Sequence, residues 1–159
     1  AFLLVAAVPL AAHAQQDLKV GFVSTERIFR DAAPAKAATA KLEQEFSKRE
    51  KDLQELAAKL KSAAEKLDKE APVLSDSART KRQRELSEMD KDFQRRQREF
   101  REDLNQRRNE ELAIVLERAN KVIKQIADAE KYDIVFQEAV YFSPRIDITE
   151  KVLKALNTK

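Results

Sequence analysis

The groups in this chain best placed to do chemistry are cations in two clusters. Arg79-Thr80-Lys81-Arg82-Gln83-Arg84 sets four positive side chains close together, and Arg95, Arg96, Arg98 and Arg101 follow about three helical turns later. The chemistry open to them is electrostatic. They attract acidic polypeptides or anionic lipid headgroups, or they are engaged by carboxylates three or four positions away, as Lys91 would be by Glu88. Division of the charge favours neither reading outright. Between Lys36 and Glu110 there are 20 basic and 17 acidic residues and elsewhere 11 of each, so the net charge of +3 belongs to this stretch.

Other chemistries lack their reagents. The single histidine, His13, lies in an N-terminal segment expected to be removed, and there is no cysteine. No imidazole or thiolate is left for zinc, for a nucleophile's general base or for redox work. The single glycine, Gly21, sits in an apolar run and cannot build a phosphate-cradling loop. Carboxylates beside lysine and arginine on helices are ordinarily solvated ion pairs, not an acid and a base in a cleft. The expectation is of a protein that is not an enzyme and has no catalytic, metal or cofactor-binding residues. Nucleic acid is not an expected partner either, because the expected export argues against it, acids are interspersed through both rods and the phenylalanines at 46, 93 and 100 have the spacing of packing residues.

The elements that must carry the cations are long helices. From Pro34 to Glu111 there is no glycine, and after Pro34 the only proline is Pro72. Phe46, Leu53, Leu60 and Leu67 occupy one seam position of a heptad pattern and Leu42, Leu56 and Ala63 the other, with Arg49 out of place. After Ala71-Pro72-Val73-Leu74-Ser75-Asp76-Ser77 the pattern resumes with Leu86, Phe93 and Phe100 and meets Arg107 in the next slot. It then shifts through Leu104 to Leu112, Val115, Ala119, Val122 and Ile126, where the apolar face widens. So narrow a stripe buries one neighbouring helix and no more, which predicts an antiparallel hairpin with its tip near 71–77. Ser75 or Asp76 is the expected cap of the returning helix, and Pro72 is expected to disfavour helix at Ala71 before it.

Short elements flank the rods. Leu18 to Val23 reads as a strand, Ser24 or Thr25 as the cap of a helix from Glu26 to Asp31, Tyr132 to Phe136 as a second strand and Ala139 to Phe142 as a third. Asp147 with Glu150 resembles a capping box opening a last helix, Ile148 to Leu156. The predicted fold is mainly α with a small β body: 15–33 and 112–159 form an oligomerisation body, and 34–111 form the hairpin arm. Residues 1–14 read as the remnant of a cleavable signal peptide, with the cut expected between Ala14 and Gln15 after the small-x-small run Ala12-His13-Ala14. With 37% charged and 6% aromatic residues the chain is too poor in apolar groups to close one compact core. Copies of the body are expected to complete each other's sheet.

This order of elements, with Tyr132-Asp133-Ile134-Val135, Ser143-Pro144, Asp147-Ile148-Thr149 and Arg107-Arg108-Asn109-Glu110-Glu111, resembles the Skp/OmpH family of periplasmic chaperones over essentially all of the chain after the leader. The resemblance implies a homotrimer with three arms around a cavity, holding unfolded outer-membrane proteins in the periplasm without ATP. It also implies a lipopolysaccharide-binding patch at Arg96, Arg107 and Arg108, incomplete because Gln106 stands where the family can have arginine. The basic tip, Arg79, Lys81, Arg82 and Arg84, would then attract cargo or an anionic membrane surface. The alternative is a structural coiled-coil hairpin or adaptor of the cell envelope, and a basic lipid-binding hairpin is a third reading.

Overall fold

The fold comes from a computed structural model that describes residues 17–158; the expected leader and its cleavage point lie outside the described residues. Strand β1 is Val20–Phe22, helix α1 Thr25–Asp31, α2 Ala33–Glu70, α3 Asp76–Glu130, strand β2 Ile134–Phe136 and α4 Thr149–Asn157. Two 3-10 turns, Ala71–Val73 and Pro144–Ile146, join them. At 1.5 Å per residue α2 is about 57 Å long and α3 about 82 Å.

The expected hairpin is present, and its ends are set by local chemistry. The Ser24 hydroxyl accepts the Arg27 N–H to start α1, and Pro34 stands in the first turn of α2, where its missing donor is not needed. At the tip the Ser75 hydroxyl accepts the Ala78 N–H and opens α3. The sequence expectation for Ala71 is corrected here: it keeps helical dihedrals, φ −47° and ψ −40°, because Pro72 falls in the first turn of a 3-10 segment. Lys131 ends α3 in the left-handed region at φ 56°, while the Tyr132 N–H returns to the Ala127 carbonyl. The last helix has half of the expected box. The Asp147 carboxylate accepts the Thr149 N–H at 2.8 Å, but Glu150 turns away to pair with Arg27 on α1.

Because α3 outruns α2, its final third has other partners. There Val115, Ala119, Val122 and Ile123 meet Val23, Ile28, Ala32, Ala35 and the inner face of α4, Val152, Leu153 and Leu156. This is the core, and Val152 and Ala32 are completely buried in it. Burial of each large aliphatic side chain there is worth roughly 1.5–3 kcal/mol. The Ser24 N–H donates to the hydroxyl of buried Thr149, which ties the start of α1 to that of α4.

The sheet is smaller than expected. β1 and β2 pair in parallel, Val20 with Ile134 through Phe22 with Phe136, and the other edge of β1 takes only a bridge from Phe22 to Asp147. Ala139 to Phe142 is not a strand, which corrects the sequence reading. The segment pairs with neither strand: the Phe142 ring folds back to stack on Phe22 at 3.7 Å, while Val140 and Tyr141 stand in solvent, and Ile134 and Phe136 on β2 are exposed as well.

The glycine has a packing reason. A Cβ on Gly21 would lie 3.3 Å from Ile148 Cδ1 and from two carbons of the Tyr132 ring. Gly21→Ala therefore needs only small shifts of those side chains, whereas Gly21→Val overpacks the layer and should cost about 1–3 kcal/mol. Urea unfolding followed by far-UV circular dichroism checks the order, with the valine variant well below alanine.

Candidate functional site

No described helix is long and apolar enough to cross a membrane, and no group of three or more His, Cys, Asp or Glu among the described residues has the geometry to hold a metal. The surface with distinctive chemistry is the hairpin itself. Its burial is graded. Leu42 and Phe46 on α2 are buried, but from residue 47 to residue 110 every side chain is at least partly exposed, including Leu53, Leu56, Leu60, Leu67, Leu86 and Phe93.

The structure divides the four tip cations in two. Arg79 is paired with Asp76 in the first turn of α3, and Arg82 reaches across the hairpin to Glu70 at the end of α2. Lys81 and Arg84 make no ion pair among the described residues. Both are exposed, Lys81 on the flank of α3 and Arg84 on the side turned away from α2, as expected for positions offset from Arg82 by about 100° and 200° of helix rotation. The tip thus offers two free cations, while the other two shape it. The second cluster divides similarly: Arg95 lies between Asp92 at 2.5 Å and Glu99 at 2.9 Å, Arg96 holds Asp92 at 2.8 Å, and Arg98 and Arg101 have no acidic partner among the described residues. Lys91 and Glu88 form the expected pair at 2.9 Å.

Of the three residues that family resemblance marks for lipopolysaccharide, Arg107 is the most fully engaged. It donates to Glu45 across the hairpin at 3.1 Å, to Glu110 at 2.5 Å and to Glu111 at 2.9 Å. Those hydrogen bonds, Glu45 first, hold its guanidinium pKa well above the ordinary value. Arg108 beside it has no acidic partner among the described residues and lines a groove of about 580 Å3 with Phe29, Leu42, Phe46, Phe100 and Leu104. Arg96 is about three turns away on the same side of α3 as Arg107. Arg96, Arg107 and Arg108 are therefore not one open patch.

Two features escape the sequence reading. Arg49 appears there as a break in the seam, yet its guanidinium lies 5.5 Å from the ring centre of Phe46 and 5.7 Å from that of Phe100, and pairs with Asp103 at 2.7 Å. The two rings meet edge to face, 5.6 Å apart, so the cation covers an aromatic contact. The second is Glu111, only 7% exposed, which accepts from Lys41 at 2.7 Å as well as from Arg107. Its signal is visible in retrospect, since Glu111 follows Leu104 by seven and so occupies a seam slot. Hydrogen bonds from Lys41 and then Arg107 lower the Glu111 pKa; Arg82 does the same for Glu70 and Lys151 for Glu130. At Asp92 partial burial opposes ionisation, but the hydrogen bonds from Arg95 and Arg96 outweigh it.

The cross-hairpin pairs keep one register. A step of four from Lys41 to Glu45 to Arg49 is matched by a step of four back from Glu111 to Arg107 to Asp103, and Glu70 with Arg82 continues the same alignment at the tip.

A small two-stranded sheet at the root of a long, charged helical hairpin places the protein in a defined class. The OmpH family model, Outer membrane protein (OmpH-like), matches residues 19–156, and the chain belongs to that family. Its relatives include proteins named Chaperone protein Skp. That of Photorhabdus luminescens is 32% identical over 150 residues, 93% of this chain and 91% of that protein. The Yersinia enterocolitica protein is 30% identical over 148 residues, 91% of this chain and 90% of its own, and the Escherichia coli K12 protein is 28% identical over the same coverage. In three dimensions the chain is similar to the OmpH-like protein of Caulobacter crescentus CB15, with a TM-score of 0.73 over 99% of this chain and 90% of that one at 20% identity. The fold is shared at that distance.

Carboxylates whose pKa is lower folded than unfolded stabilise the protein above the unfolded value and lose that contribution as pH falls through the folded one. Thermal stability should therefore be full above about pH 5 and decline below about pH 4, the ordinary glutamate range. Glu111→Gln should lower the melting temperature at neutral pH and make the acid-side decline shallower. Melting curves of both proteins between those limits check it, and parallel declines would remove Glu111 from the account.

Proposed function

We propose that this protein is an ATP-independent holdase of the periplasm that keeps unfolded outer-membrane proteins from aggregating, working as a homotrimer whose three hairpins enclose the cargo. Membership of a family whose named relatives are chaperones supports the general reading. The observation that carries the particular one is the hairpin's surface: a rod along whose outer half no side chain is fully buried, with Lys81, Arg84, Arg98 and Arg101 unpaired among the described residues. Such a surface makes many weak contacts and no tight one, and three copies convert those contacts into avidity while the cargo stays mobile. Release then needs no nucleotide. Cargo that folds into a membrane buries the groups the arms were touching.

The trimer reading has its own support in the body. β2 has an unpaired edge, Ile134 and Phe136 are more than 40% exposed, and Val140 and Tyr141 are almost fully so. An edge strand with exposed apolar groups on it seeks a further strand, and Ala139 to Phe142 of a second copy supplies one. Residues 15–33 and 112–159 are in this reading the joined body, residues 34–111 the arm, and residues 1–14 a leader that directs export. Lipopolysaccharide or an anionic membrane surface is a second partner. For it Arg108 is the contacting residue and Arg96 an auxiliary one, while Arg107 holds the two rods together.

Capture of acidic, unfolded cargo should depend on the two free tip cations more than on the two paired ones. Lys81→Glu with Arg84→Glu should weaken capture of a diluted, denatured outer-membrane barrel protein several-fold at low salt and flatten its salt dependence, without change in mass in solution. Light scattering measures aggregation and size-exclusion with mass detection measures assembly. Aggregation proceeding unchecked at stoichiometric trimer would favour the envelope-spacer reading, and a lone monomer would remove the cavity.

A further inference from the structure

The contacts that hold the two rods together are not distributed evenly. At the base Lys41 pairs with Glu111, Glu45 with Arg107, and Arg49 with Asp103 beneath the Phe46–Phe100 contact. At the far end Glu70 pairs with Arg82, and the Leu74 N–H returns to the Glu70 carbonyl. Between these, over residues 50–69 of α2 and the facing 83–102 of α3, no ion pair among the described residues joins one rod to the other. The pairs Lys61–Glu65, Lys66–Glu70, Lys91–Glu88, Arg95–Asp92, Arg95–Glu99 and Arg96–Asp92 all lie within a single helix. The apolar seam there is half-exposed throughout and includes the small residues Ala57, Ala63 and Ala64.

We propose that the hairpin is clasped at both ends and yields in its middle, over a length of about 30 Å, by bowing of the rods apart while base and tip stay closed. Two consequences of the geometry make this different from fraying. A rod parted from its partner keeps its intrahelical ion pairs but only marginal helicity, so its middle turns open transiently in place, and their amides exchange from that state. The Arg82–Glu70 pair joins the rods beside the turn, so opening does not begin at the tip. Arg49, set over two phenylalanine rings and fixed by Asp103, marks the inner limit of the opening. The division does not depend on what the protein binds.

Native-state hydrogen exchange on the full chain, resolved by peptide, tests it. The seam-facing amides of residues 53–64 and 88–99 should exchange at least tenfold faster than those of 38–49 and 103–119, with protection rising again around 67–70 and 82–86. Exchange that increases steadily towards the tip would overturn the proposal in favour of fraying, and uniform exchange along the arm would overturn it in favour of a stiff rod. Glu70→Gln with Arg82→Gln should convert the central maximum into a steady rise towards the tip. Arg49→Ala should carry fast exchange inward past Phe46. Unchanged profiles in both variants would show that the clasps do not set the limits.

Discussion

A helix with one narrow apolar stripe can bury itself against one partner, and most of this architecture follows from that limit. Two such helices of equal length would make a plain hairpin with no core. Here the second is longer, 55 residues against 38, and in the register of Lys41–Glu111 and Glu70–Arg82 part of the excess runs on past the start of α2 and becomes the floor on which the rest is built. Val115, Ala119, Val122 and Ile123 occupy that excess and the turn before it, and it is there that α1, α4 and the short sheet find something apolar to cover. Away from it the seam thins, because there is no third element to close over Leu53, Leu60 or Phe93.

Electrostatics on such a rod has two roles that one residue seldom fills at once. A cation drawn into a carboxylate network, as Arg107 is, fixes geometry and is withdrawn from outside partners; a cation without one, as Lys81 or Arg84, is available to them and contributes little to the fold. The alternation along the hairpin separates the two roles in space. Engaged charges join the rods at base and tip, and available ones lie on the faces turned to solvent.

Much of this was legible in the residues. The absence of glycine between Pro34 and Glu111, the sevenfold spacing of Leu86, Phe93 and Phe100, and the serines at 24 and 75 predict the rods and their caps because helix periodicity and capping are local effects. The third strand was not, since Ala139 to Phe142 has the composition of a strand but its Phe142 ring is drawn back onto Phe22, a contact no local pattern announces. Arg49 and Arg107 were read as faults in the seam because a linear pattern registers charge and not partner. A guanidinium has a long aliphatic stem and a flat, weakly hydrated head, so Phe46, Phe100 and Asp103 can accept it where a heptad rule would not. The pairing of Lys41 with Glu111 joins positions 70 apart in sequence, and only the hairpin register brings them together. For the Asp147 box the local rule was half right, because Arg27 on another helix competed for Glu150.

The end of α3 carries one more implication. A left-handed conformation is uncomfortable for any residue with a Cβ, and glycine usually relieves it, yet here Lys131 adopts it. A helix of this length therefore stops at a residue with no strong inclination of its own to stop. What compels it is the backbone of Lys19, whose N–H donates to the Asp133 carboxylate 114 positions later and whose carbonyl accepts the Asp133 N–H. The residue leading into the opening strand serves as a ruler: it dictates where the longest element is cut off, and so where the root beneath the hairpin begins.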